Sequence, residues 1–546
     1  MRLVTVQQMK TIEKEADAAG LTYAQMMQNA GQGLAEVVQD LPIDPAEQEA
    51  FGLVGSGNNG GDTLVALAHL AADGWRTRAY LIERDRDELV ERFVRAGGEV
   101  IVAQDDDEYA SLSAFVQTAT VLLDGVLGTG ARLPLKEEVA NVLAEVQAVL
   151  EESGANPYVI GVDCPSGIDC DTGEAARECL PADLTVTMAA IKQGMLKMPA
   201  YELVGDLEVV DIGLPEDLPA LKTRGPEVAE EEMVSAMLPE RPIDAHKGTF
   251  GTALIVAGSI NYTGAAALAG EAAYRVGTGL VTMAIPSPLH FILAGRLPEA
   301  TWILLPHQLG VISRDAVEVL SKNWGRATAM LIGPGFGTED TTRDFLSDLL
   351  GSRAAKKATG RLGFVPNEVQ QAQLEKNENK WPAVVADADG LKLLAKINFW
   401  HKLLPAQAIL TPHPGEMAIL TGMSVDDIQK DRQGTALKFA KQWGHVVVLK
   451  GAFTVIASPE GRLVIIPVAS PALARAGTGD VLAGCIVGLR AQGLEPFEAA
   501  VAGAWIHSQA GLYAADDLGT TASVIAGDLL GSISDVLSDL DYTGMP

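Results

Sequence analysis

A chain of 546 residues, 48% hydrophobic and 21% charged, folds around large cores, and it exceeds the roughly 250–300 residues at which one core stops growing, so more than one domain is expected. Its 41 basic and 71 acidic residues leave a formal charge of −30, which excludes general binding to nucleic acid or to an anionic membrane; a phosphate-bearing ligand must be held by local amides and a few cations. There is no run of about 18 apolar residues and no apolar N-terminal targeting stretch, and Cys164, Cys170, Cys179 and Cys485 fit no zinc or redox spacing, which predicts reduced thiols and a cytoplasmic protein.

Two helical patterns open the chain. Apolar residues recur at Val6, Met9, Ile12 and Ala16, then at Met26, Met27, Ala30, Leu34 and Val37, the spacing of one helix face. Thr22 is placed to cap the second. Short β-rich runs at 51–55, 78–82, 99–102, 120–126, 158–163 and 184–188 then alternate with helices. That alternation predicts a mostly parallel, doubly wound α/β sheet of Rossmann-like type. Such sheets bind ligands beyond the carboxyl ends of their strands.

Three polar loops fall at those ends. Gly55-Ser56-Gly57-Asn58-Asn59-Gly60-Gly61-Asp62 leads into a helix predicted over 63–72. It is no Walker loop and fits the dinucleotide fingerprint poorly, but its glycines and asparagines crowd amide donors at a helix start. The second, Asp124-Gly125-Val126-Leu127-Gly128-Thr129-Gly130-Ala131-Arg132-Leu133-Pro134, carries a strand-end carboxylate and an arginine able to clamp a phosphate. The third is Asp163-Cys164-Pro165-Ser166-Gly167-Ile168-Asp169. Each alone reads equally well as a structural turn. Three at successive strand ends point to a site.

These loops, with Met26-Met27-Gln28-Asn29-Ala30-Gly31, resemble the NAD(P)H-hydrate epimerase family over roughly residues 5–217. The resemblance implies that Asn58, Asn59, Gly60, Gly61 and Asp62, with Gly128, Thr129, Gly130, Ala131, Arg132, Leu133 and Pro134, bind the hydrated dinucleotide. It implies a potassium ion on Asn59, Asp124 and Ser166, all hard oxygen ligands, and a substrate contact at Asp163, the candidate acid/base. Thr63 stands where the family commonly has glycine, so its φ must be negative.

Pro215, Pro219, Pro226, Pro239 and Pro242 punctuate the join between a first domain at 1–217 and a second at 225–546. An acidic helix is predicted over 227–238. A second α/β series follows, with strands at 252–257, 280–285, 329–333, 383–387, 408–411, 445–450, 453–457 and 463–468. Helices are predicted at 264–276, 431–443, 481–489 and 496–515. The charge-rich stretch 351–380 reads as a solvated insertion without a function.

The most telling tract of the second half is Ala474-Arg475-Ala476-Gly477-Thr478-Gly479-Asp480. Gly477 and Gly479 let backbone amides approach an oxyanion, and a helix starting near Thr478 adds the positive end of its dipole. Asp480 then stands where a base is needed for a hydroxyl presented to the bound phosphate. His246-Lys247-Gly248, Gly333-Pro334-Gly335-Phe336-Gly337, Thr411-Pro412-His413-Pro414-Gly415-Glu416-Met417 and Lys450-Gly451-Ala452-Phe453-Thr454 accompany it. Together they resemble the ADP/ATP-dependent NAD(P)H-hydrate dehydratase family, of ribokinase-like fold, over about residues 227–540.

That resemblance implies that Lys450, Gly451, Ala452, Phe453, Thr454 and Gly479 cradle ADP or ATP with magnesium. Ala265, Gly335, His413 and Asp480 would line the hydrate's pocket. The expected protein is a bifunctional repair enzyme that interconverts R and S hydrates of NADH and NADPH and dehydrates the S form at the expense of ADP or ATP. Its partners are those small molecules, and related proteins imply a homo-oligomer. The rival reading is a ribokinase-like vitamin or sugar kinase fused to a dinucleotide-binding sensor domain.

Overall fold

The computed structural model describes residues 1–222, 225–358, 381–540 and 542. The chain divides into two compact units, Met1–Pro226 and Glu227–Pro546. Helix Asp340–Ala358 runs into the charge-rich stretch expected as an insertion, whose remainder, 359–380, lies outside the described residues.

The first unit is built on seven parallel strands: β1 (Glu49–Val54), β2 (Arg76–Leu81), β3 (Glu99–Val102), β4 (Val121–Gly125), β5 (Tyr158–Val162), β6 (Leu184–Met188) and β7 (Asp206–Val210). Their order is β3-β2-β1-β4-β5-β6-β7, all parallel, so the sheet reverses direction of growth between β1 and β4. Alternate residues bury on opposite faces, as the pleat requires. Phe51, Leu53 and Leu122 join one core; Ala50, Val54 and Leu123 join the other. Helix Tyr23–Asp40 starts at Thr22, whose hydroxyl and Gln25 form a reciprocal capping box. A two-residue strand, Leu3–Val4, pairs with Ile191–Lys192 beyond the end of β6.

The main sheet of the second unit has ten strands among the described residues: β8 (Glu227–Val228), β9 (Thr252–Val256), β10 (Leu280–Pro286), β11 (Thr301–Leu305), β12 (Ala329–Ile332), β13 (Ala383–Ala386), β14 (Ile409–Leu410), β15 (Val446–Leu449), β16 (Val455–Ala457) and β17 (Leu463–Ile465). The order is β8-β17-β16-β15-β14-β13-β12-β9-β10-β11, with β16 antiparallel to both neighbours and the other pairs parallel. Helices Thr263–Arg275, Thr478–Ala491, Pro496–Asp517 and Ala526–Asp539 pack their apolar residues with Ala253, Ile255 and Leu331 in one core. This is the second α/β layering that the strand series implied, on a larger sheet than the first.

Three expectations are revised. The 227–238 segment is a short strand, β8, followed by helix Glu231–Ser235, because its backbone pairs with β17 before the acidic turn begins. Strands β7 and β11 have no counterpart among the predicted strands. Both are sheet edges with mixed exposure; Glu208 breaks the apolar run of β7, whereas β11 carries four consecutive apolar residues. The third concerns the first polar loop. The helix begins at Asn58, not Thr63, so most of that loop, 58–62, is helix.

Candidate active sites

In the first unit the side chains gather beyond β1, β4, β5 and β6, adjacent in the sheet. A Cβ on Gly60 would lie 2.0 Å from the Gly55 carbonyl oxygen. Its missing side chain therefore lets the first helical turn sit on the strand end, a packing reason beside the ligand-binding one. Asn58 is exposed at the helix start, while Asn59, Gly60, Gly61 and Asp62 are buried. Thr63 is helical, and its hydroxyl donates to the Asn59 carbonyl at 2.8 Å, so the non-glycine residue costs the loop nothing.

Asn59, Asp124 and Ser166 converge as the resemblance implied. Asn59 Nδ2 donates to the Leu127 carbonyl at 3.0 Å, and Asp124 Oδ2 accepts from the Ser166 N–H at 2.7 Å. Ser166 Oγ accepts from the Leu127 N–H at 2.8 Å. Two buried oxygens, Asn59 Oδ1 and Asp124 Oδ1, have no hydrogen-bond partner among the described residues. Burial pushes the Asp124 pKa up, with the Ser166 bonds opposing it. A buried acceptor pair left unbonded asks for a cation or a water.

Gly128 lies against Asn59; a Cβ there would be 3.3 Å from Asn59 Cβ. From it runs the loop Thr129, Gly130, Ala131, Arg132, Leu133 and Pro134, of which Gly130, Arg132 and Pro134 are exposed. Arg132 is not joined to any carboxylate among the described residues. Asp163 takes a left-handed backbone at φ 61°. Its Oδ1 accepts from Lys192 Nζ and from the Met188 N–H at 3.0 Å. Lys192 and nearby Glu13 escaped the sequence reading. Lys192 lies in no motif, and Glu13 falls off the apolar spacing of Val6, Met9, Ile12 and Ala16.

In the second unit β9, β12, β13, β14 and β15 end on one side. Gly335 has φ 64°, and a Cβ there would stand 3.0 Å from Ala265 Cβ and 2.7 Å from the Tyr262 carbonyl oxygen. The Gly337 N–H donates to Asp389 Oδ2 at 2.9 Å, tying that loop to the end of β13. Lys450 Nζ bonds Asp387 Oδ1 at 2.6 Å and lies 3.8 Å from Glu416 Oε2. Burial opposes the Lys450 charge, but Asp387 and Glu416 outweigh it and its pKa is raised. Lys392 bonds Asp389 at 2.9 Å. Asp387, a carboxylate at the end of a strand visible in sequence, could have been found by position alone.

His413 caps helix Pro414–Thr421. Its Nδ1 accepts from the Gly415 N–H at 3.0 Å and the Glu416 N–H at 3.3 Å, so that nitrogen is unprotonated. Nε2 lies 3.3 Å from Glu416 Oε1, and the ring stays half exposed. Burial, with Lys450 and Lys392, lowers its pKa. Gly451 and Ala452 are exposed, and Phe453 and Thr454 are half-buried. The Thr454 hydroxyl donates to the Gly451 carbonyl at 2.9 Å. Beneath them, Arg432 Nη2 donates to the Leu449 carbonyl at 3.0 Å, a support the sequence reading did not include.

Helix Thr478–Ala491 begins at Gly477, φ 94°. A Cβ on Gly479 would meet Lys450 Nζ at 3.5 Å, so the helix start and Lys450 face each other. Burial, then the Asp387 charge, pushes the Asp480 pKa up to about 7, with Lys450 opposing. His507, buried under Thr478, is held neutral by burial at about 4. The His246 ring accepts from the Gly248 N–H in its own turn and makes no bond to this cluster among the described residues.

A doubly wound parallel sheet and a ribokinase-like sheet, each with charged side chains collected at strand ends, define a two-site α/β enzyme. Residues 23–194 match the family described as YjeF-related protein N-terminus, and residues 253–357 and 361–534 match NAD(P)H-hydrate dehydratase. The bifunctional NAD(P)H-hydrate repair enzyme of Moorella thermoacetica is 34% identical over 553 residues, covering 99% of this chain and 97% of that protein. The enzyme of that name from Escherichia coli K12 is 31% identical, covering 96% and 92%. A solved ADP/ATP-dependent NAD(P)H-hydrate dehydratase from Bacillus subtilis, co-crystallized with ATP/Mg2+, is 30% identical over 57% of this chain and 98% of its own, with a TM-score of 0.46.

The chain belongs to the bifunctional NAD(P)H-hydrate repair enzymes: it is an NAD(P)H-hydrate epimerase and an NAD(P)H-hydrate dehydratase. The reading as a vitamin or sugar kinase with a sensor domain is set aside, because both halves match hydrate repair. Among the described residues no helix is long and apolar enough to cross a membrane.

Proposed function

We propose that Asp480 is the base of the dehydratase, and that the observation carrying this is its place in the first turn of helix Thr478–Ala491, opposite Lys450. Asp480 takes the proton from the hydrate's C6 hydroxyl as the nucleotide's terminal phosphoryl is transferred to that oxygen. The C6–O bond then breaks with phosphate leaving, N1 donating its electron pair, and loss of a C5 proton restores the dihydronicotinamide. ADP becomes AMP. Lys450 and the Gly477–Gly479 amides offset the charge on the transferring group.

Lys450, Gly451, Ala452, Phe453, Thr454 and Gly479 hold the nucleotide, which brings its own magnesium, and Ala265, Gly335 and His413 line the hydrate's pocket. The dehydratase takes the S hydrate, and the epimerase supplies it from R through Asp163. Asn58, Asn59, Gly60, Gly61 and Asp62 with the loop from Gly128 to Pro134 hold the dinucleotide. The orphaned Asn59 and Asp124 oxygens, with Ser166 Oγ, suit potassium, whose charge would stabilise the buried Asp124 carboxylate. The protein works as a homo-oligomer in the cytoplasm.

The test mixes the protein with R and S hydrates of NADH, potassium and magnesium, and follows the near-ultraviolet absorbance of the reduced nicotinamide. Recovery of all the hydrate with ADP or ATP, and of none without, is expected. A stable phosphoester in place of free phosphate would refute the scheme.

A further inference from the structure

The epimerase cluster holds more than Asp163. Lys192, with 1% of its surface exposed, bonds Asp163 Oδ1, Thr187 Oγ1 at 2.8 Å and the Met188 carbonyl at 3.1 Å, which uses all three of its donors. The Met188 N–H and the Thr187 hydroxyl, at 3.0 and 3.3 Å, also reach Asp163 Oδ1. Every bond to this carboxylate therefore ends on one oxygen. Its Oδ2 has no partner among the described residues and is the atom left to accept a proton.

Asp62 is 8% exposed, and its carboxyl has no hydrogen-bond partner among the described residues. It stands at the start of the second turn of the helix that follows β1. The charged groups facing it are Asp163 after β5, Lys192 after β6 and Glu13 on helix Val6–Ala18, with Lys10 on that helix acting on Glu13. The pairing of Leu3–Val4 with Ile191–Lys192 brings Lys192 and the Glu13 helix together.

We propose that Lys192 and Asp62 complete the epimerase's proton machinery: Lys192 is the positioning residue that fixes Asp163 with one oxygen presented, and Asp62 is the acid opposite that base. The proposal rests on the assignment of Asp163 to the epimerase reaction. Asp163 Oδ2 takes the proton of the C6 hydroxyl, C6–O becomes a carbonyl, and the C6–N1 bond breaks with its electron pair kept on N1. N1 takes the proton of Asp62. The freed aldehyde turns about the C5–C6 bond, N1 attacks its other face, and both protons return to where they began. Nothing is gained or lost, and no co-reactant is needed. Burial, then the Asp163 and Glu13 charges, pushes the Asp62 pKa well above the usual carboxylate range, which keeps this acid protonated.

The experiment follows R/S exchange of hydrated NADH by proton NMR, without nucleotide, in the full-length protein and its variants across a pH series. In the wild type the rate should fall on the alkaline side as Asp62 ionises. Asp62→Asn, nearly isosteric, should slow exchange by about 10²–10⁴-fold and remove that fall. Lys192→Met should lower kcat with little change in KM, and Lys192→Arg should recover part of it. An Asp62→Asn enzyme with the wild-type rate and alkaline fall would overturn the acid. A Lys192→Met enzyme with wild-type kcat and pH profile would overturn the clamp. Asp163→Ala separates the two levels: exchange surviving in it would sink the Asp163 assignment and the proposal together. Loss in Asp163→Ala beside a normal Asp62→Asn sinks the proposal alone.

Discussion

Asp480 has its task set by what surrounds it. An exposed aspartate is ionised far below neutrality, but burial and the neighbouring Asp387 bring this one to about 7. A base with that pKa predicts that dehydratase kcat/KM rises with pH and levels off above about 7. Asp480→Asn should lower dehydration by at least about 10²-fold while R/S exchange continues at the wild-type rate. The stability consequence has a defined sign. The folded pKa is raised, so the proton bound by Asp480 favours the fold at low pH, and this contribution is lost as pH rises toward 7. The Asn variant should therefore gain in melting temperature relative to wild type between about pH 4 and 7, and hold that gain above.

Lys450 is the opposite case. With its side chain 16% exposed, it neutralises Asp387, which is 1% exposed, and Glu416, which is 3% exposed. Lys450→Met should cost about 3–5 kcal/mol in denaturant unfolding of the second unit, since it leaves those carboxylates buried without their cation. On the proposed assignment of Lys450 to the nucleotide, the phosphates would then face a site of the wrong sign. A loss confined to nucleotide affinity, with unchanged stability, would show that the ion pair carries no structural weight.

At the scale of elements, helix starts do most of the positioning. Asn58, Thr478 and Pro414 each begin a helix at the end of a strand, where first-turn amides lack intrahelical partners. His413 illustrates a double use, since the ring expected to meet substrate also caps its helix. The Thr22 capping box is purely structural, and Thr22→Ala should destabilise the first unit by about 1 kcal/mol without altering either activity. Most strands that the sequence reading placed are buried and rich in apolar or β-branched residues, and the edge strand β3 was placed as well because Val100, Ile101 and Val102 run without a break. It missed β7 and β11, both at sheet edges: Glu208 interrupts the apolar residues of β7, while the apolar run of Trp302, Ile303, Leu304 and Leu305 in β11 was legible and overlooked. The Asn58 helix start was hidden for a different reason: two asparagines and two glycines are poor helix formers, and only packing on Gly55 makes them helical.

At the scale of the whole molecule, the contacts divide at Pro226 and Glu227. Expressed alone, 227–546 should restore only the S share of a hydrate mixture in the time before spontaneous exchange, and adding 1–226 should restore the rest. Recovery of both epimers by the second fragment alone would contradict the division of labour between the units.

Periodicity and turn chemistry made two α/β units legible in the sequence, with polar loops at their strand ends and Asn59, Asp124, Asp163, Ser166 and Asp480 as candidates within them. These are local signals, because periodicity and turn chemistry act over neighbouring residues. Only the tertiary structure decided that Lys192 closes on Asp163, that Asp387 takes up Lys450 from 63 residues away, and that Asp480 sits near pKa 7. Charge, burial and desolvation depend on distances through space, and those exist only once the strands have been brought side by side.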